Sequence, residues 1–274
     1  MLLGLGASVS AKDAGFPAAL LRVGGSRHRA GAAATPEPGG SASATATPTP
    51  SASAPDTDWQ PSPPIAVDPP PPPRPRVASA PQYYVDDAGP AAIALTFDDG
   101  PDPVYTPQVL DILDRYGVQA TFNMIGEQIA DNLPLVREVA AAGHTVTNHT
   151  WDHADMRAYP LARVLSEIDR CNDALADAGQ EPRIFRAPYG YWTPTVFEAC
   201  AERGLTPLGW SVDPQDWNDG RVTAQDIVRN VLRNTHRHDI ILEHDGGGDR
   251  SHTVAALRVF LPELLNRGFV FAAV

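Results

Sequence analysis

Cysteine is scarce in this 274-residue chain, which carries only Cys171 and Cys200. Two residues cannot build a disulfide framework, and their spacing lacks the CxxC of a zinc or redox motif. A single bridge between helices and a pair of small buried apolar side chains both stay open. Long apolar runs are missing as well, so no integral membrane segment of about 20 residues is expected. Excess positive charge is absent: 21 Lys and Arg stand against 33 Asp and Glu, a formal net charge of -12. That balance disfavours nucleic-acid binding driven by counterion release and suits an uncharged or polar partner, although solubility alone would account for it. No GxSxG, HExxH or complete GxGxxG pattern offers a rival chemistry.

Proline is plentiful but uneven. Of 28 prolines, 15 fall between Pro36 and Pro81, among Ala, Ser, Thr and Gly. Such a stretch buries too little apolar surface to offset its ordering entropy. Residues 31–82 therefore read as a disordered linker, with Pro69 to Pro73 biased toward polyproline II. Residues 1–30 form a separate N-terminal segment. Its apolar patches, Met1 to Ser10 and Phe16 to Val23, lack the basic front of an export signal, and the segment reads as a remnant of one. Together with the wall-type linker this predicts a secreted or cell-wall-associated protein.

From Tyr83 to Val274 the chain is long enough for one buried core. Short apolar runs alternate there with capped helical stretches. Seven strands are predicted, at 91–97, 118–123, 144–148, 183–186, 206–212, 239–243 and 269–274. Helices fall between them. Thr106 and Pro107 read as an N-cap and first-turn pair, followed by Val109, Leu110, Ile112, Leu113 and Tyr116 at helical spacing and by Gly117 as a stop. Further helices are predicted at 133–142, 161–178, 194–203, 224–233 and 254–266. Strands alternating with helices imply a parallel α/β sheet, as a barrel or a doubly wound sheet, with its active site beyond the carboxyl ends of the strands. Asp98, Asp99, His149, His153, Arg186, Tyr189, Asp213, Asp216 and His244 all follow strand ends and share that rim.

Thr96-Phe-Asp-Asp-Gly-Pro101 sets two adjacent carboxylates at a strand exit, and both stay ionised only beside a cation, a metal or an Arg. Taken alone, an exposed turn explains the same residues. Asn148-His-Thr-Trp-Asp-His153 places two imidazoles at i and i+4, on one face if the segment turns as a helix does. With Asp99 they make three ligands, two nitrogen and one oxygen, and leave a coordination position open for water. A divalent ion fits the set, zinc by preference and cobalt or another first-row metal otherwise.

Arg186-Ala-Pro-Tyr-Gly190, Trp210-Ser-Val-Asp-Pro-Gln-Asp-Trp217 and Leu242-Glu-His-Asp245 follow in order. With the two earlier segments they resemble the five signature motifs of the polysaccharide deacetylase family, the NodB-homology carbohydrate esterases of family 4. The resemblance spans about Ala91 to Val274. It implies a distorted, incomplete (β/α) barrel and a metal-dependent hydrolase that removes acetyl groups from peptidoglycan or a chitin-like glycan. Carried over by position, Asp98 matches the base, Asp99, His149 and His153 the metal ligands, and Arg186 the arginine that holds the base. The Tyr189 position gives a backbone N–H to the oxyanion and lines the substrate. Asp216 matches the carboxylate that orients the acid, and His244 the acid. Trp217 matches a groove-lining aromatic, and Trp217 and Leu242 read either as substrate-lining or as ordinary core or rim residues. Either Asp213 or Asp216 could orient His244 on physical grounds. Arg186 could equally pair with Asp213.

Two other readings stay in play: an O-deacetylase of the acetyl xylan type, and a catalytically silent glycan-binding module. The polysaccharide is the only partner expected, and the protein is expected to act as a monomer. Glu243, between Leu242 and His244, should point away from the acid by strand alternation and have little effect.

Overall fold

The computed structural model describes residues 76–218 and 220–274. The expectations for the N-terminal segment and for residues 31–75 lie outside them. Gln82 already belongs to the fold: its N–H donates to the Pro207 carbonyl, and its own carbonyl accepts from Gly209.

Seven strands form one sheet: β1 (Ala92–Asp98), β2 (Thr121–Met124), β3 (Thr145–Asn148), β4 (Ile184–Phe185), β5 (Thr206–Pro207), β6 (Ile240–His244) and β7 (Val270–Phe271). Their order is β5-β4-β3-β2-β1-β6, with β7 beside the first residues of β1, and every pairing is parallel. All residues of β1 and β6 are buried, which is why their apolar stretches, residues 92–95 and 240–242, run on without alternation. The helices are α1 (Thr106–Tyr116), α2 (Gly126–Asp131), α3 (Leu133–Ala141), α4 (Leu161–Asp177), α5 (Pro194–Arg203), α6 (Ala224–Asn234) and α7 (Ser251–Asn266).

Three expectations need correction. The predicted strand 206–212 is regular only at Thr206–Pro207. The chain then bends, and Val212 pairs with Ile241 on the opposite edge of the sheet, where Leu242 N–H donates to the Val212 carbonyl. This segment thus touches both edge strands, and the sheet curls into an incomplete barrel linked by irregular backbone. Helix α2 was not foreseen, because six residues are too few to show a helical period. Thr106 is not an N-cap: that place is taken by Tyr105, which makes no side-chain cap. The Thr106 hydroxyl is diverted, donating to Asp245 Oδ2 at 2.6 Å and accepting from Asp102 N–H at 2.8 Å.

The main apolar core lies between sheet and helices, where Leu95, Phe97, Leu113, Phe122 and Phe260 pack together. Cys171 and Cys200 are free and buried, so the bridge is not formed, and burial pushes both thiols up to about 12. Among the described residues no helix is long and apolar enough to cross a membrane. Inside the barrel stands Arg186, fully buried. Its guanidinium donates to the Gly209 carbonyl at 2.9 Å, so the bent segment after β5 finds on a side chain the donor that a ladder would have supplied.

Candidate active site

The ends of β1 and β3 bring Asp99, His149 and His153 together, with their ligand atoms all within 4.8 Å of one another. Asp99 sits in the left-handed region at φ 71, immediately after the last residue of β1. The two histidines do not share a helical face, as their spacing suggested. They are joined by a loop in which Thr150 (φ 69) and His153 (φ 59) are left-handed. Asn148 Oδ1 accepts from Thr150 N–H at 2.8 Å, and Thr150 Oγ1 accepts from His153 N–H at 3.1 Å. These local bonds hold a conformation that a β-branched residue otherwise resists.

His149 Nδ1 lies 2.8 Å from the Arg186 carbonyl. A carbonyl only accepts, so Nδ1 carries the proton and Nε2 presents its lone pair to Asp99. Asp99 Oδ1 stands 3.5 Å from His149 Nε2 and 3.4 Å from His153 Nε2, is buried, and receives no hydrogen bond. Burial raises the Asp99 carboxyl, but the contact with His149 and the charges of His244 and His153 more than offset it and leave the group far below the usual carboxylate range. Burial and the neighbouring His149 pull His153 down to about 4. An orphaned buried carboxylate oxygen facing two imidazole nitrogens suits a divalent cation.

Asp98 is held from the other side. Its Oδ1 accepts from Arg186 Nη1 and from Asn123 Nδ2, each at 2.7 Å, which leaves Oδ2 toward the trio, 3.7 Å from His149 Nε2. Thr147 Oγ1 in turn donates to Asn123 Oδ1 at 2.5 Å. Asn123 and Thr147 were missed in the sequence. Their signal was there, as polar side chains in the midst of short strands that are buried at every position but Thr145. Arg186 pairs with Asp98, and the Asp213 alternative falls away.

His244 ends β6 across the rim. Its Nδ1 lies 2.7 Å from Asp216 Oδ1, and its N–H donates to Asp216 Oδ2 at 2.8 Å, so Asp216 and not Asp213 orients it. Asp213 Oδ1 accepts instead from Gln215 N–H and Trp217 Nε1. Thr253 Oγ1 completes the shell of Asp216 with a bond of 2.8 Å. Burial alone would lower His244, but the Asp216 carboxylate more than reverses this and raises it to about 9. The nitrogen left over, Nε2, is free to present a proton to the rim.

Tyr189 is left-handed at φ 59, with its ring edge-on to His153 at 4.5 Å and half exposed. Trp217 is half-buried beside the Asp213 carboxylate. Leu242 is only 3% exposed, which leaves a sliver of its side chain for any ligand. The Gly246-Gly247 turn after β6 went unremarked in the sequence. A Cβ at Gly247 would stand 2.6 Å from Asp99 Oδ2, so only glycine lets this turn lie against the site.

The polysaccharide deacetylase family model matches residues 86–208. A peptidoglycan-N-acetylglucosamine deacetylase of Bacillus cereus is 44% identical over 184 residues, which cover 66% of this chain and 85% of that protein. A chitooligosaccharide deacetylase of Bradyrhizobium is 41% identical over 199 residues, covering 68% of this chain and 90% of the relative. The solved structure of a family 4 carbohydrate esterase from Streptomyces lividans, in complex with acetate, matches with a TM-score of 0.62 at 36% identity, over 66% of this chain and 92% of that one. Relatives this similar, matched over most of their own length, place the chain in the polysaccharide deacetylase family, as a hydrolase of that class.

Proposed function

We propose that the protein hydrolyses the acetamide of N-acetylated sugar units in a glycan of the peptidoglycan or chitin type, with a divalent ion, zinc by preference, held by Asp99, His149 and His153. The observation that carries the reading is the convergence on one rim of an orphaned Asp99 oxygen, the carboxylate Asp98 and the imidazole His244. Asp99, His149 and His153 would hold the ion, which when bound would supply a ligand water of lowered pKa and polarisation of the acetyl carbonyl.

Asp98 takes the proton of the attacking water on Oδ2, while Arg186 and Asn123 hold Oδ1 and fix the carboxylate plane. The Tyr189 backbone N–H donates to the oxyanion that develops on the carbonyl. His244, charged through Asp216, releases its Nε2 proton to the leaving amine. An amine is a poor leaving group without that proton. An ester's alkoxide needs it less, so the built-up acid pair favours amide over ester. Trp217 and the ring of Tyr189 stand at the rim, where a sugar ring would lie against them, and Leu242 closes the floor.

Acetate release measured on N-acetylated chitooligosaccharides, peptidoglycan and acetylated xylan, with metal content determined on the same preparation, tests the reading. Release from the amides with about one ion bound per chain supports it. Release from xylan alone transfers the chain to the ester reading, and none from any glycan overturns both. The same reading puts the enzyme outside the cytoplasm, with its polymer. A full-length product found only in the cytosolic fraction overturns that part.

A further inference from the structure

Strand β6 sends Leu242 and His244 to one face and Glu243 to the other. The sequence expectation was that Glu243 would therefore matter little, but the opposite face is not wet. Glu243 is fully buried, and neither of its carboxyl oxygens receives a hydrogen bond among the described residues. Its carboxyl lies within hydrogen-bonding reach of the Asp216 carboxyl. Two buried carboxyls in contact cannot both ionise. Donors decide which one does: Asp216 accepts from His244 N–H, the His244 ring and the Thr253 hydroxyl, whereas Glu243 accepts from no group among the described residues.

We propose that Glu243 stays a neutral carboxylic acid whose hydroxyl donates a hydrogen bond to Asp216, which makes it a positioning residue for the Asp216–His244 pair. The proposal rests on His244 being the acid of the reaction set out above. The groups around Glu243 agree with it. Asp216 and Asp213, from the loop after β5, both disfavour a second negative charge, and burial adds to them. Arg250, just before α7, opposes them, but its guanidinium is engaged with the Gly246 and Asp216 carbonyls. In the neutral form one of the two orphaned oxygens gains a partner: the Glu243 proton supplies Asp216 with a further donor and bleeds charge from it, which moderates how far Asp216 can raise His244.

The test is the titration midpoint of the His244 ring, read by nitrogen NMR on the zinc-loaded full chain, in the unaltered protein and in Glu243→Gln and Glu243→Met. The Gln amide donates the same bond and should leave the midpoint in place. Met cannot donate, Asp216 becomes more basic, and the midpoint should rise by about half a unit to one unit. A fall in either variant means that a negative charge was removed, and it overturns the proposal. An unmoved midpoint in Met makes Glu243 a spectator and overturns it equally. If Met does not fold, Gln still tests the charge, because a neutral donor holds the midpoint and a lost anion lowers it, and Glu243→Leu replaces Met as the variant that cannot donate. The NMR readout does not depend on turnover, so failure of the deacetylase reading would show separately, as absent acetate release.

Discussion

The two sides of the rim are built on opposite principles. The trio of Asp99, His149 and His153 hangs on loops in left-handed conformations and leaves a buried oxygen without a donor. On the acid side His244 ends a regular strand and Thr253 lies in a helix, and the loop residue Asp216 accepts from three donors. Asp99 Oδ1 waits for something to bind, whereas both oxygens of Asp216 find donors in the chain itself. Strain and an unsatisfied atom are tolerated where a ligand will relieve them, and a hydrogen-bonded shell is built where a proton must be held in one place.

If that contrast is right, the largest effect belongs to the incomplete side. His149→Ala should bind no stoichiometric ion and lose acetate release to background, and a chelator should do the same to the unaltered chain. Added zinc should raise the thermal midpoint of the unaltered chain, since a ligand that binds only the native state stabilises it, and should leave His149→Ala unmoved. Equal stabilisation of both would break the comparison. Next comes the complete side: Asp216→Asn keeps the ion but unseats the charge on His244, and kcat should fall by about 10²-fold or more with metal content unchanged.

The acid pair also leaves a mark on stability. In the metal-free chain His244 is raised from 6.5 to about 9, chiefly by Asp216 working against burial. A group raised on folding contributes stability that is full below its unfolded value and is lost as pH climbs through the folded one. The contribution is about 3 kcal/mol, present at pH 6 and gone by about pH 10. Urea unfolding of chelated protein across that window should show the loss, and His244→Gln should flatten it. An equally steep decline in the variant would assign it to other groups.

How much of this was legible in the sequence depends on where each signal resides. Helix α5 was readable because Thr193 and Gly204 bound it locally, and the Thr193 hydroxyl does accept from Val196 N–H. The shared rim was readable because a parallel sheet sends all its strand ends to one side. The bend after β5 was not, because there the Leu208 and Gly209 carbonyls are taken by the guanidinium of Arg186, distant in sequence. Thr106 looked like a cap for the same reason: the group that diverts it is Asp245, from the far end of the domain. The burial of Glu243 was not legible, because alternation says which way a strand side chain points and not whether that face meets solvent, and on β6 neither does. The His-x-x-x-His spacing pointed to the correct pair through the wrong geometry, a helix where a strained loop does the work.

The smallest effect is the most discriminating. Thr253 lies in the first turn of α7, 1% exposed, and gives Asp216 Oδ2 a single neutral hydrogen bond. Thr253→Val keeps the shape and removes that donor. On a side already held by two bonds to His244, the loss is worth about 1 kcal/mol, a few-fold in kcat, with KM and metal content unmoved. Thr253→Ser should restore the rate. Because the lost donor makes Asp216 more basic, the alkaline limb of the pH–rate profile should move upward with Val and return with Ser. A collapse of metal binding in Thr253→Val would mean that the two sides are one cooperative unit, and the division between a ligand-completed half and a self-completed half would fail.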